Sequence, residues 1–458
     1  MITIRHGDCR DVLRALASES VHCVVTSPPY WGLRDYGIPP SIWGGSATCE
    51  HEWIAEVTAR PNSGGGEGLE RDYGGAAQFA RESGRKTTAA VCSCGAWRGV
   101  HGLEPTYQLY VENAVAIFRE VRRVLRKDGT LWLNLGDSYA SSGVSGKQSN
   151  TSRLSRHGYN GFNPKMADQV FGRAPTPFEL KTKDLIGIPW RVAFALQADG
   201  WYLRQDIIWS KPNPMPESVR DRCTKAHEYL FLLSKSERYY YDGDAIAEPT
   251  LSLDPEHPSF RPNSAVIADE GRKEYSAKHK MSARSYDAAG RNKRSVWTVT
   301  TCPYSEAHFA TFPPALIEPC IMAGTSEKGC CAKCGAPWVR QVERTRTNQS
   351  GSGRAGNPPE GKWGLTAQHA GTMQDIRMGP TISIETIGWS PSCACNAVAV
   401  PCTVLDPFAG AGTTGLVADR LGRNAILIEL NPDYVAMIER RISADAGMFA
   451  QIYCEAAE

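Results

Sequence analysis

A hydroxyl, two consecutive prolines and two aromatic rings, Ser27-Pro28-Pro29-Tyr30-Trp31, form the segment of this chain best equipped for chemistry. Consecutive prolines end a strand and hold the backbone in an extended turn. Such a turn can aim two acceptors, the Ser27 hydroxyl and the Pro28 carbonyl, at the hydrogens of a single amino group. The exocyclic amine of cytosine or adenine is a poor nucleophile because its lone pair is delocalised into the ring. Acceptors on its hydrogens favour a more tetrahedral nitrogen whose lone pair can attack. Tyr30 adds a ring on which a base could stack once flipped from a duplex, where the amine is otherwise out of reach. A rigid loop with aromatics at a core edge is written in the same letters, so the motif calls for an independent second signal.

That signal runs from Val404 to Thr414, Val-Leu-Asp-Pro-Phe-Ala-Gly-Ala-Gly-Thr-Thr. It reads as a buried strand and a glycine turn, then a helix from Thr413 to Gly422 with Leu416, Val417 and Leu421 at helical spacing. A second apolar run, Ala425 to Ile428, ends in Glu429. Strand, turn, helix, strand and terminal acid make a βαβ nucleoside-binding unit. Its glycines let backbone approach the ligand, and an acid about 20 residues on can accept bonds from ribose hydroxyls. No Gly-Lys-Ser/Thr follows to grip phosphate and magnesium, and Thr413 to Gly415 lack the third glycine of the dinucleotide pattern in register.

Asp406-Pro407-Phe408, the Gly410 and Gly412 turn, Thr413-Thr414 and Glu429 together resemble the S-adenosylmethionine loop of DNA amino-methyltransferases, whose usual form is Asp-Pro-Phe-x-Gly-x-Gly-Thr-Thr. Ser27-Pro28-Pro29-Tyr30 resembles the catalytic motif of the same family. The catalytic motif comes first and the cofactor loop last, which resembles the family's permuted β group. The resemblance implies an α/β fold, a circularly permuted Rossmann-like sheet with helices on both faces. It places the Ile2 to Asp8 segment beside the Glu429 strand, with Asp8 near the cofactor's adenine end. It also implies that Phe312, in Phe312-Pro313-Pro314, covers the methionine end. Trp209-Ser210-Lys211-Pro212-Asn213 resembles the active-site wall, so that Trp31, Trp209 and Lys211 are expected to contact DNA.

The elements that must position these residues are legible by period. Helices are expected at Asp11–Ala17, Tyr107–Arg126, Asp184–Leu196 and Tyr434–Ile442, and strands at His22–Val25, Thr130–Leu135, Trp201–Trp209 and His227–Ser234. In the long second helix Val111, Val115, Phe118, Val121, Val124 and Leu125 share one face. Lys127-Asp128-Gly129 should stop it. Asp137 lies at the sheet edge where ligands sit, either as a site wall or as a turn cap.

Met1 to His6 reads as a strand and not a signal peptide, so a reducing compartment is expected, where fifteen cysteines clustered in pairs point to metal rather than disulfides. Cys49-x-His51 with Cys92-x-Cys94 offers four soft ligands for a tetrahedral zinc knuckle. Cys331-x-x-Cys334 has zinc-ribbon spacing and would pair with Cys393-x-Cys395. All positions filled by protein make both zincs structural.

The core is thus expected in pieces: 1–48, 101–241 and 401–458, with a zinc knuckle at 49–100 and a zinc ribbon at 326–400. A cofactor-covering segment at 303–325 and a target-recognition region at 242–302 complete the chain. Residues 138–183 form a basic loop, read equally as a solvated loop or as one that orders on DNA phosphates. Arg344 to Gly379 is Gly/Ser/Asn-rich and expected to be mobile.

The net charge, 51 minus 49, is only +2, so any DNA-binding surface must be local. No apolar run approaches the roughly 20 residues of a membrane span, and a soluble, cytoplasmic protein is expected. The leading reading is transfer of methyl from S-adenosylmethionine to a flipped base in double-stranded DNA. By the family's rule serine before Pro-Pro-Tyr leans to cytosine N4, with adenine N6 the alternative. Methylation at cytosine carbon 5 would need a thiolate, for which Pro319-Cys320 and Pro401-Cys402 are the only tempting dipeptides. A zinc-containing DNA-binding protein with a silent core is the competitor from another class, and RNA remains a conceivable substrate. No nuclease signature is visible, so a restriction endonuclease, if one exists, would be a separate protein. Oligomeric state is not legible.

Overall fold

The computed structural model describes residues 1–33, 36–58, 88–140, 180–181, 183–248, 291–302, 304, 311–347, 381–447 and 451–456. Most of the basic loop (141–179), of the target-recognition region (249–290) and of the Gly/Ser/Asn-rich stretch (348–380) lies outside the described residues.

Nine strands form one sheet. In chain order they are β1 (Ile2–His6), β2 (Val21–Thr26), β3 (Leu125–Leu135), β4 (Tyr202–Ser210), β5 (His227–Ser234), β6 (Val296–Thr298), β7 (Thr403–Asp406), β8 (Asn424–Glu429) and β9 (Ile452–Ala456). Their order across the sheet is β6-β4-β5-β3-β2-β7-β8-β1-β9. Every neighbouring pair is parallel except those made by β5, which runs against β3 and β4. The permutation is visible in the pairing: β1 continues the sheet beyond β8, with Ile4 opposite Leu427 and His6 opposite Glu429. β2 is buried along its whole length, as a central parallel strand covered on both faces must be.

Helices α1 (Cys9–Ala15), α2 (Tyr107–Val124) and α3 (Ile188–Ala198) pack on one face, and α4 (Pro314–Gly324), α5 (Thr413–Arg420) and α6 (Pro432–Ala446) on the other. The buried face of α2 is Tyr107, Tyr110, Ala114, Ile117, Phe118 and Val121, while Val111 and Val115 are only half-buried beside it. The expected stripe holds at Phe118, Val121, Val124 and Leu125, all fully buried, while Tyr107 and Tyr110 take the inward positions in the first turns. Lys127-Asp128-Gly129 does not separate helix from strand. β3 begins at Leu125, and its extra residues are absorbed where the register with β2 shifts between Val21 and Cys23. α3 starts at Ile188 rather than Asp184, since Gly187 at φ 76° breaks the chain direction and Pro189 opens the helix. The Asp137 carboxylate accepts the N–H groups of Gly187 and Ile188 at 3.0 and 3.1 Å, which makes it the cap of that helix.

Two edge strands were not among the expected elements. β6 falls within the 242–302 segment yet pairs with β4, and β9 pairs with β1. Ser41–Trp43, which precedes the first insertion, joins the insertion's strands Trp97–Gly99, Thr88–Cys92 and Trp53–Thr58 in a small antiparallel sheet. In the second, Trp338–Thr347 and Thr381–Pro391 make a long antiparallel ribbon where a loop was expected to begin at Arg344.

Candidate active site

The C-terminal ends of the parallel strands deliver the candidate residues to one edge. Ser27 follows β2, Asn134 lies near the end of β3, Lys211 follows β4, Glu429 ends β8, and Gly7-Asp8 follow β1. Because β5 is reversed, it presents its first residues there, including Glu228. A cavity of about 900 Å³ opens at this edge, walled by Ser27, Pro28, Pro29 and Tyr30 on one side and by Phe408, Gly410 and Glu429 on the other. The catalytic and cofactor motifs, some 380 positions apart (Thr26 to Asp406), therefore face one space.

In the catalytic half, the Tyr30 hydroxyl lies 2.9 Å from Asn134 Oδ1 and 2.8 Å from Glu228 Oε2, and it receives the Ser27 hydroxyl at 3.3 Å. Burial and the adjacent Glu228 charge raise the Tyr30 pKa well above its ordinary value, so the phenol stays protonated and donates. Its ring lies against Gly136, where a Cβ would come within 2.4 Å of it. Pro29 is fixed in turn by its carbonyl, which accepts the Tyr110 hydroxyl at 2.9 Å. Lys211 forms an ion pair with Glu228 and lies over the Trp209 ring at 4.2 Å. Asn134 and Glu228 are polar partners that no motif marks. Asn134 was at least placed at a strand end, but Glu228 opens a strand and carries no local signal.

The expected DNA contacts divide. Lys211 reaches the cavity, but its charge is engaged by Glu228. Trp209 is 3% exposed, packed in the core with its N–H donated to the Val299 carbonyl at 2.8 Å, so only its edge reaches the cavity wall. Trp31 donates its N–H to the Glu104 carbonyl at 2.9 Å and meets Tyr107 edge-on, which pins it to α2.

In the cofactor half, Gly410 and Gly412 adopt φ 51° and 74°, the left-handed turn that glycine tolerates. Glu429 accepts the Gly410 N–H and the Asn431 N–H, each at 2.8 Å, one on each carboxylate oxygen. Burial pushes its carboxyl up to about 7 against the pull of these N–H groups. Asp8 lines the cavity and caps α1. Burial works to raise its pKa, but bonds from Arg10 outweigh that and hold it below the usual carboxylate range. Phe312, Pro407 and Thr413 also reach the cavity.

Asp406, Gly412 and Thr414 do not line it. Asp406 is 1% exposed, and its two oxygens receive Thr26 Oγ1 and Thr414 Oγ1, both at 2.7 Å, and the Phe408 N–H at 3.1 Å. Gly412 backs onto Ile438 of α6. These three expected cofactor residues shape the loop from behind.

Cysteine and histidine side chains converge as the spacing predicted. The ligand atoms of Cys49, His51, Cys92 and Cys94 all lie within 4.8 Å of one another, as do those of Cys331, Cys334, Cys393 and Cys395. Four soft donors at such separations fit tetrahedral zinc. His22, Cys330 and Cys402 also converge, but both His22 nitrogens are committed, one accepting the Thr403 N–H at 3.1 Å and the other meeting the Gly335 carbonyl at 2.9 Å. The two dipeptide thiols are unsuited to nucleophilic attack. Cys320 and Cys402 are fully buried away from the cavity, and burial raises Cys320 well above the ordinary thiol range.

Residues 21–332 and 402–440 match the profile of a family described as DNA methylase. The type II methyltransferase M.XycI of Xanthomonas campestris pv. cyanopsidis is 35% identical over 441 residues, spanning 96% of this chain and 87% of that protein. M.Cfr9I of Citrobacter freundii is 34% identical, covering 97% and 88%, and M.SmaI of Serratia marcescens is 33% identical, covering 95% and 89%.

Proposed function

The chain belongs to the DNA methylase family and is an S-adenosylmethionine-dependent DNA methyltransferase, and from that premise we propose that it methylates the exocyclic N4 of cytosine in double-stranded DNA. The observation that carries the proposal is the shared cavity, in which the Ser27 hydroxyl and the Glu429 carboxylate open on the same space. Serine ahead of Pro-Pro-Tyr supports cytosine as the base.

S-adenosylmethionine supplies a methyl group on a positively charged sulfur. Glu429 accepts hydrogen bonds from the ribose hydroxyls, the Gly410 turn lets backbone approach, Phe312 and Phe408 cover the apolar parts, and Asp8 closes the adenine end. The flipped cytosine stacks on Tyr30. Ser27 releases its weak 3.3 Å bond to the Tyr30 hydroxyl and, with the Pro28 carbonyl, accepts the two amino hydrogens. The nitrogen lone pair then forms the new N–C bond in line with the breaking C–S bond. S-adenosylhomocysteine departs, and the proton leaves a nitrogen that methylation has made acidic. No strong base is required. Asn134, Glu228 and Lys211 hold Tyr30 from below.

Each cysteine tetrad binds one structural zinc, and neither takes part in the chemistry. The basic segments at 141–179 and 249–290 are the candidates for embracing and reading DNA. A cognate restriction endonuclease is the natural partner for such an enzyme. No described helix is long and apolar enough to cross a membrane. The test is incubation with S-adenosylmethionine and mixed-sequence duplex DNA, then nucleoside digestion and mass spectrometry. N4-methylcytosine is expected, and N6-methyladenine alone would overturn the base assignment.

A further inference from the structure

We propose that His101, which directly follows the first insertion, is a cofactor-positioning residue whose Nε2 accepts a hydrogen bond from an N–H or O–H of the adenosine moiety. The inference rests on reading the cavity as the S-adenosylmethionine site.

His101 is 6% exposed and lines the cavity, and its Nε2 has no hydrogen-bond partner among the described residues. A buried polar atom left unpaired is costly, so its persistence beside an open cavity points to a ligand. The other ring nitrogen defines the chemistry. Nδ1 lies 2.7 Å from Glu104 Oε1, a carboxylate that also accepts the Asn113 side chain at 3.1 Å and, on its other oxygen, the Gly102 N–H at 2.8 Å. An acceptor-only carboxylate assigns the proton to Nδ1, which leaves Nε2 of the neutral ring as an acceptor.

The ring cannot swing away. It is stacked on Tyr110 at 4.9 Å and 7°, and it lies 5.9 Å from Phe408 and 5.4 Å from Trp43. Phe408 leads into the glycine turn, and His101 and Asp8 line the same cavity. The nucleoside part of the cofactor is therefore the part within reach. The same framework touches the catalytic motif, because Tyr110 bonds the Pro29 carbonyl and the Glu104 carbonyl holds Trp31.

The test compares wild-type and His101→Phe protein by calorimetric titration with S-adenosylmethionine and S-adenosylhomocysteine. Phenylalanine keeps the stacking and removes only the nitrogens. Affinity should fall about tenfold, the order of one neutral hydrogen bond, and KM for the cofactor should rise more than kcat falls. Analogues of S-adenosylhomocysteine locate the donor. If the inosine analogue is penalised in wild type but not in His101→Phe, the adenine amine is the donor. The same pattern with a 2′- or 3′-deoxy analogue assigns a ribose hydroxyl. An unchanged cofactor affinity in His101→Phe, with equal analogue penalties in both proteins, would overturn the inference while leaving the cofactor site standing. Failure of the wild type itself to bind cofactor would overturn both. Unfolding scans of the free proteins separate the roles further, since a purely structural His101 would lower the melting temperature on substitution without changing the cofactor-induced shift.

Discussion

Thr26, the last residue of the strand that carries the catalytic motif, donates its hydroxyl to Asp406 Oδ1 at 2.7 Å. Asp406 ends the strand that feeds the cofactor loop, so this bond joins the two halves of the site beyond the pairing of their strands. Thr414 completes the brace from the first turn of α5. Asp406→Ala would leave the Thr26 hydroxyl and the Phe408 N–H without their acceptor, and the Thr414 hydroxyl with only the Val25 carbonyl at 3.3 Å, and should cost about 2–4 kcal/mol in denaturant unfolding, with weakened cofactor binding. Asp406→Asn keeps the shape and most acceptors and should cost far less. Equal losses for the two substitutions would argue against this brace.

The pH dependence of cofactor binding should follow Glu429. Its pKa in the fold is about 7, against 4.5 for an unburied glutamate. The folded protein thus binds more protons than the unfolded chain between these values. The stability this group contributes is full below the lower pKa and lost as pH rises through the upper. Binding runs the other way, because the ionised carboxylate is the stronger acceptor for ribose hydroxyls. Affinity measured from about pH 6 to about pH 8 should improve several-fold, and Glu429→Gln should flatten the profile.

Tyr30→Phe and Tyr30→Ala separate the ring from its hydroxyl. The phenylalanine variant keeps the stacking surface but leaves Glu228 and Asn134 short of a donor, at about 1 kcal/mol or more of stability. It should retain measurable methyl transfer. The alanine variant should lose most turnover while cofactor affinity changes little.

Metal analysis of the purified protein should find two zinc ions per chain. Cys94→Ser should remove one and Cys395→Ser the other, each with a lower melting temperature. A chain free of metal would contradict both tetrads.

Much of this site was legible because its parts are local. The proline turn, glycine turn and terminal acid are each contiguous, and alternating short strands and helices announce a parallel sheet. The cysteine pairs were equally readable, since spacing within each pair is short and soft ligands in pairs have few other uses. What escaped was the set of partners assembled only in space. Glu228 reaches Tyr30 because β5 is reversed, and His101 stacks on Tyr110 of α2 at the cavity wall. Neither fact has a periodicity to betray it. The converse error came from Asp406, Gly412 and Thr414, which belong to the cofactor motif but support it from the interior.

The most direct measurement is single-turnover methyl transfer by Ser27→Ala beside its cofactor affinity. The account predicts a loss of about a hundredfold or more in turnover, with the dissociation constant for S-adenosylmethionine within about twofold of wild type. Full turnover in Ser27→Ala would contradict it, because the hydroxyl assigned to orient the amine would then be dispensable.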